Sequence, residues 1–231
     1  NAKTKADSAK LNDIVANAGK AVRTFREDFL KKNNDAVLSL IFRLTNEPIV
    51  PPAAMHPGGK YDSLYAYQYF KSHYWDGIYL FDERLARTPG NLFETKLDRY
   101  FEQLVIPNAD SVIKEVDYFL SYASVSPDLQ KFLLIKFANR YMQMKYLSDD
   151  AVFVHLYQKY FANKTYPWLT EKGSKTITDR AYSMMGNITG TPAPEINLPD
   201  TAGKDVSLYA VQAPYTLVVI YDPTCGHCKE T

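Results

Sequence analysis

From Leu11 to Phe161, apolar residues return at steps of three and four, and short turns separate the runs. That period is the signature of helices with one dry stripe, and successive stripes of this kind are buried by packing helix on helix. The first stripe is Leu11, Ile14, Val15, Ala18, Val22, Phe25 and Phe29, with Lys20, Arg23, Arg26 and Glu27 on the solvated side. Asn34 and Asp35 are helix-starting residues, and Val37, Leu40, Ile41 and Leu44 continue the period in a second, shorter helix. Between Glu47 and Gly59, four prolines and two glycines forbid regular structure, which predicts an extended loop.

The stretch from Tyr61 to Phe81 carries nine aromatic residues on more than one helical face. With no polar constellation attached, core packing is expected there rather than a ligand platform. Asn91 and Glu94 have the spacing of a capping box, opening a helix with Phe93, Leu97, Phe101, Leu104 and Val105 inward. Pro107 starts another helix, with Val112, Val116, Phe119, Leu120 and Ala123 inward. Ser126-Pro127-Asp128 combines a cap, a first-turn proline and an acidic first turn, and the helix it opens is expected to run to about Leu147. Ser148-Asp149-Asp150 opens the next, and after Pro167 and Trp168 a last helix spans about Thr170 to Met185. Residues 1–187 therefore read as an all-helical domain, and Gly186 to Pro194 as a linker.

The composition supports a sizeable core, since 46% of the 231 residues are hydrophobic and 14% are aromatic. A formal net charge of +1 gives no support to a nucleic-acid surface. No apolar run approaches the ~18 residues needed to cross a membrane, so no transmembrane segment is expected in this chain. The start at Asn1 rather than Met leads us to expect an upstream segment, a signal or an anchor.

Chemistry is concentrated at the other end. Tyr215-Thr-Leu-Val-Val-Ile-Tyr221 is a short apolar, β-branched run bounded by Pro214 and Pro223, which predicts a buried strand. The only two cysteines of the chain follow, as Cys225-Gly226-His227-Cys228. That spacing suits the first turn of a helix, where unpaired N–H groups favour a thiolate, and strand, turn and Cys-x-x-Cys together form a redox-site pattern. A zinc site lacks two further ligands, haem attachment lacks a histidine at Lys229, and a merely structural disulfide fits the strand-to-helix context poorly. No metal site and no cofactor is expected. His155 lies off the apolar stripe of its helix beside Lys159 and is expected to be solvated, and His56 and His73 have no partner at ligand spacing.

Upstream, Gly190-Thr-Pro-Ala193-Pro194-Glu-Ile196-Asn-Leu198-Pro-Asp200-Thr-Ala-Gly203-Lys-Asp-Val206-Ser207-Leu208 follows the pattern G-x-x-A-P-x-F-x-L-x-D-x-x-G-x-x-V-S-L, with only Ile196 departing noticeably. This segment, with the strand and Cys-Gly-His-Cys at the right separation, resembles the opening of bacterial thioredoxin-like proteins of the TlpA/ResA and AhpC/TSA redoxin type. The resemblance covers about the last fifth of the chain. Added to the all-helical reading of 1–187, it gives a mainly α fold class: a multi-helix domain over 1–187, followed over 188–231 by what the resemblance implies is the N-terminal fragment of a thioredoxin-like α/β domain. The helical part resembles, in architecture only, the helical domain of unknown function that precedes the redoxin domain in some envelope proteins.

The resemblance also implies a function for the parent protein: a thiol-disulfide oxidoreductase of the bacterial cell envelope, periplasmic, acting on thiol- or disulfide-bearing protein substrates. Cys225 would attack and Cys228 resolve. Thr224 and His227 stand where many members have Trp and Pro, and both positions tune redox behaviour. The central sheet, the active-site helix and the cis-proline loop would all follow Cys228, so the chain is expected to be a truncated and inactive piece. Its last segment is expected to dock on the helical domain or to pair with a second copy through the 215–221 strand, giving a homo-oligomer. The alternative is a helical partner- or ligand-binding module with a vestigial or structural redox tail.

Overall fold

The structure, a computed structural model, describes residues 5–186, 188–219, 222 and 224, the first three of them by backbone alone. It falls into two units, Asn1–Thr189 and Gly190–Thr231. The first is all-helical: α1 Lys5–Lys32, α2 Val37–Thr45, α3 Ser63–Ser72, α4 Leu92–Gln103, α5 Ala109–Ala123, α6 Pro127–Met142, α7 Asp149–Leu156 and α8 Glu171–Met185. The second unit contains a hairpin of β1 Asn197–Pro199 and β2 Asp205–Ser207. The chain is therefore mainly α, built around a multi-helix domain.

Helix boundaries follow local chemistry where a side chain can reach the first unpaired N–H groups. The Asp62 carboxylate accepts from Leu64 and Tyr65 at the start of α3, Asn108 from Ser111 at α5, Ser126 from Leu129 at α6, and Thr170 from Gly173 at α8. Three expected caps fail, one of them at Ser148, which stands before α7 in helical geometry with no side-chain cap bond. Asn91 sits in the left-handed region (φ 55°) and makes no cap; the Phe93 N–H turns to Thr88 Oγ1 at 3.2 Å, and Glu94 accepts from Lys136 instead. Before α2, Asn34 and Asp35 belong to the connecting turn, and Ala36 stands uncapped at the boundary. The sixth helix also ends at Met142, before the expected Leu147.

The core sits where α4 to α8 converge, with Phe93, Phe119, Phe137 and Phe153 fully buried among Leu97, Leu120 and Leu129. Burying residues of this size contributes roughly 1.5 to 3 kcal/mol each. The aromatic stretch that runs through α3 and the turn after it divides by face. Tyr74 is buried and stacks on Tyr100 at 5.5 Å, and Trp75 meets Phe119 edge-on at 5.1 Å, whereas Tyr61 and Tyr67 are exposed. Lys136 and Arg140 on α6 bind Asp98 on α4 at 2.7 and 2.9 Å, tying the two helices across their rim.

Two apolar segments differ from expectation. Along α1 the stripe is exposed from Leu11 to Val22; only its last turns pack, where Phe29 and the edge of a still exposed Phe25 meet Phe42. Residues 215–219 form no strand, and Tyr215 is 94% exposed. A strand needs ladder partners, and among the described residues none is offered to this run.

Candidate functional site

In the C-terminal unit the hairpin explains why the Gly190-to-Leu208 segment has its sequence. Asp200 Oδ1 accepts from Ala202 and Lys204 N–H groups at 2.8 and 2.9 Å, closing the turn, and Gly203 supplies the positive φ (78°) that the turn requires. Leu198 and Val206 face one another across the ladder. Glu195 Oε1 accepts from Ser207 Oγ and the Leu208 N–H at 2.9 and 3.0 Å, and Tyr209 Oη donates to the Ala193 carbonyl at 2.5 Å. Asp200, Gly203 and Ser207 are thus the residues that shape the backbone.

Of the residues expected to carry redox chemistry, Thr224 is described and exposed; its N–H and Oγ1 both donate to Asp222 Oδ1 at 2.8 Å. Cys225, His227 and Cys228 lie outside the described residues.

The helical unit contains polar clusters that the sequence did not single out. Asp117 on α5 accepts from His155 Nε2 at 3.0 Å, Lys159 Nζ at 2.8 Å and Tyr160 Oη at 2.8 Å. Burial alone would push the Asp117 carboxyl up, but these donors outweigh it and hold it below the usual carboxylate range. Burial, and after it the same carboxylate, push the Tyr160 phenol up. His155 is therefore held against Asp117, not solvated as its position off the apolar stripe suggested. Residues Tyr157–Phe161 form a π-helical turn, with the Ala162 N–H donating to the Tyr157 carbonyl at 2.8 Å, and this widened turn carries Lys159 and Tyr160 beside the acid.

Lys96 on α4 is only 6% exposed. Its ammonium donates to the Asn46 carbonyl at 3.0 Å and lies 4.2 Å from the Tyr74 ring centre, and burial pulls its pKa down to about 8.

One concavity of the helical unit, about 490 Å³, runs between α1, α2 and the segment after Asn46. Arg23, Arg26 and Arg43 line it together with apolar Phe42 and Ile49. Arg26 lies over the Phe42 ring at 5.1 Å, and Arg43 donates to the carbonyl and side-chain oxygens of Asn34. Glu27, Glu47 and Asp76 share the lining, with Glu47 engaged by Arg99 outside it, and none of the three forms an ion pair with the groove's arginines. The groove can therefore take a carboxylate or phosphate on guanidinium forks beside an apolar wall. Among the described residues no group of three His, Cys, Asp or Glu is placed to hold a metal ion, and no helix is long and apolar enough to cross a membrane.

One family model matches, over residues 15–185: a domain of unknown function, DUF5106. The chain belongs to the DUF5106 family. The DUF5106 match covers α2 to α8 and most of α1, so the aromatic core, the Asp117 cluster, Lys96 and the groove all lie within the family's domain. The hairpin and the dithiol lie beyond it. No curated protein and no solved structure matches the chain.

Proposed function

We propose that the parent protein of this chain is a thiol-disulfide oxidoreductase of the bacterial cell envelope, working through the Cys225-Gly226-His227-Cys228 dithiol, with the DUF5106 domain positioning its partners. The observation that carries this reading is the succession of the Gly190-to-Leu208 segment, an apolar run and Cys-x-x-Cys in one order and at one separation. The hairpin is compatible with it, because Asp200, Gly203 and Ser207, three positions of that pattern, shape the backbone there.

The chemistry follows from thiol exchange. The Cys225 thiolate attacks one sulfur of a substrate disulfide, forms a mixed disulfide and expels the other substrate sulfur as thiolate. Cys228 then attacks the Cys225 sulfur, releases the second substrate thiolate and leaves the Cys225–Cys228 disulfide; two electrons have passed to the substrate. In reverse, the same steps oxidise a substrate dithiol. His227, when protonated, favours the thiolate and makes the disulfide easier to reduce. Turnover of a model disulfide by the parent protein, abolished by Cys225→Ser, is the expected result; unchanged turnover in the variant refutes the proposal.

A second reading, in which the DUF5106 domain is itself a ligand- or partner-binding module, is favoured by the arginine-lined groove. Isothermal titration with a short polyglutamate peptide tests it: binding that is lost in Arg26→Gln/Arg43→Gln supports the reading, and absence of binding to the unaltered chain removes it.

A further inference from the structure

The first helix is 28 residues long, and its apolar stripe is largely exposed, from 46% at Leu11 to 69% at Val15, with Val22 and Gly19 also bordering the groove and the Phe25 ring meeting Phe42. From Leu11 through Val15, Ala18 and Val22 to Phe25 the steps are four, three, four and three. That alternation marks a narrow seam suited to one facing helix. Gly19 beside the seam has no atom within 4 Å of the place a Cβ would occupy, so another backbone can come close there.

We infer that this seam is the interface of an antiparallel pair formed by α1 of two copies of the chain, a surface independent of the proposed redox chemistry. Two observations select the occupant. The seam is complementary to its own reverse: about a two-fold axis near Gly19 and Ala21, small Ala18 meets the partner's Val22, and Val15 meets the partner's Phe25. Charge sets the direction. Residues 19–32 carry Lys20, Arg23, Arg26, Lys31 and Lys32 against Glu27 and Asp28, a net +3, whereas in residues 8–18 Lys10 and Asp13 cancel. Parallel pairing sets +3 beside +3; antiparallel pairing sets each basic half beside a neutral one. A lipid surface fits less well, because Asp13, Glu27 and Asp28 are interspersed with the cations around the polar arc of the helix.

Leu11 to Phe25 spans ~21 Å of helix and a helix is ~10 Å wide, a small footprint beside the ~800 Å² per partner of a standard interface. The pair is therefore concentration-dependent. Sedimentation of the chain under reducing conditions, from micromolar to submillimolar concentration, is expected to pass from monomer to dimer, and Val15→Gln/Val22→Gln to stay monomeric with unchanged circular dichroism. In a Cys225→Ser/Cys228→Ser background, Gly19→Cys is expected to link to its own copy on oxidation and Leu11→Cys is not. A monomer throughout, a dimer that persists in the glutamine variant, efficient self-linking at Leu11→Cys, or binding of the monomer to phosphatidylglycerol vesicles through these valines overturns the inference.

Discussion

The Lys96 ammonium lies 4.2 Å from the centre of the Tyr74 ring, and its one hydrogen bond is to the Asn46 carbonyl. A buried charge is thus held by a π face and a single backbone oxygen, with no carboxylate bound to it. Its pKa of about 8 in the folded chain lies below the ordinary 10.5. Between those values the unfolded chain holds more protons than the folded one, so this residue makes stability rise with pH across the window. Lys96→Met, of similar length and uncharged, is expected to be more stable at pH 7 by about 1 to 3 kcal/mol. Denaturant titrations at pH 7, 8 and 9.5 check this: the gap between the two proteins should narrow as pH rises, and a constant gap contradicts the account.

Asp117 behaves in the opposite sense. Its folded pKa is lowered, so its stabilisation is complete above its unfolded value of 3.8 and is lost as pH falls through the folded one. Asp117→Asn should cost about 1 to 3 kcal/mol at pH 7, since His155, Lys159 and Tyr160 lose a charged acceptor. Thermal melts at pH 7 and in the acid limb test it, with the difference shrinking below about pH 4.

The start of α4 distinguishes two capping schemes. Because Thr88 Oγ1 accepts from the Phe93 N–H, Thr88→Ala should destabilise by ~1 kcal/mol. Asn91→Gly should be neutral or slightly stabilising, because glycine tolerates the φ of 55° and no cap is lost. Urea midpoints of the two variants settle the order; a larger loss at Asn91 would restore the capping box.

Local signals were legible and distant ones were not. Ser126 and Thr170 cap the helices they precede because the N–H groups they serve are three residues away. Asn91 and Glu94 carry the same local signal, yet Thr88 takes the N–H and Lys136, on another helix, takes the acid. His155 looked solvated because its acceptor, Asp117, lies 38 residues away on α5. The stripe of α1 has the same period whether or not anything covers it, so exposure could be learned only from the fold. In the C-terminal unit the order was reversed: Gly203 and Asp200 announce their turn in the sequence itself.

The redox reading is tested most directly by the reduction potential of Cys225 and Cys228 in the parent protein, measured by equilibration with glutathione buffers and counting of free thiols. The account predicts one two-electron couple, ~30 mV per tenfold change, with a potential between about −270 and −120 mV, and its loss in Cys225→Ser. Two independent thiols that form only mixed disulfides with glutathione, or a pair locked below about −300 mV as a structural bridge, would contradict it.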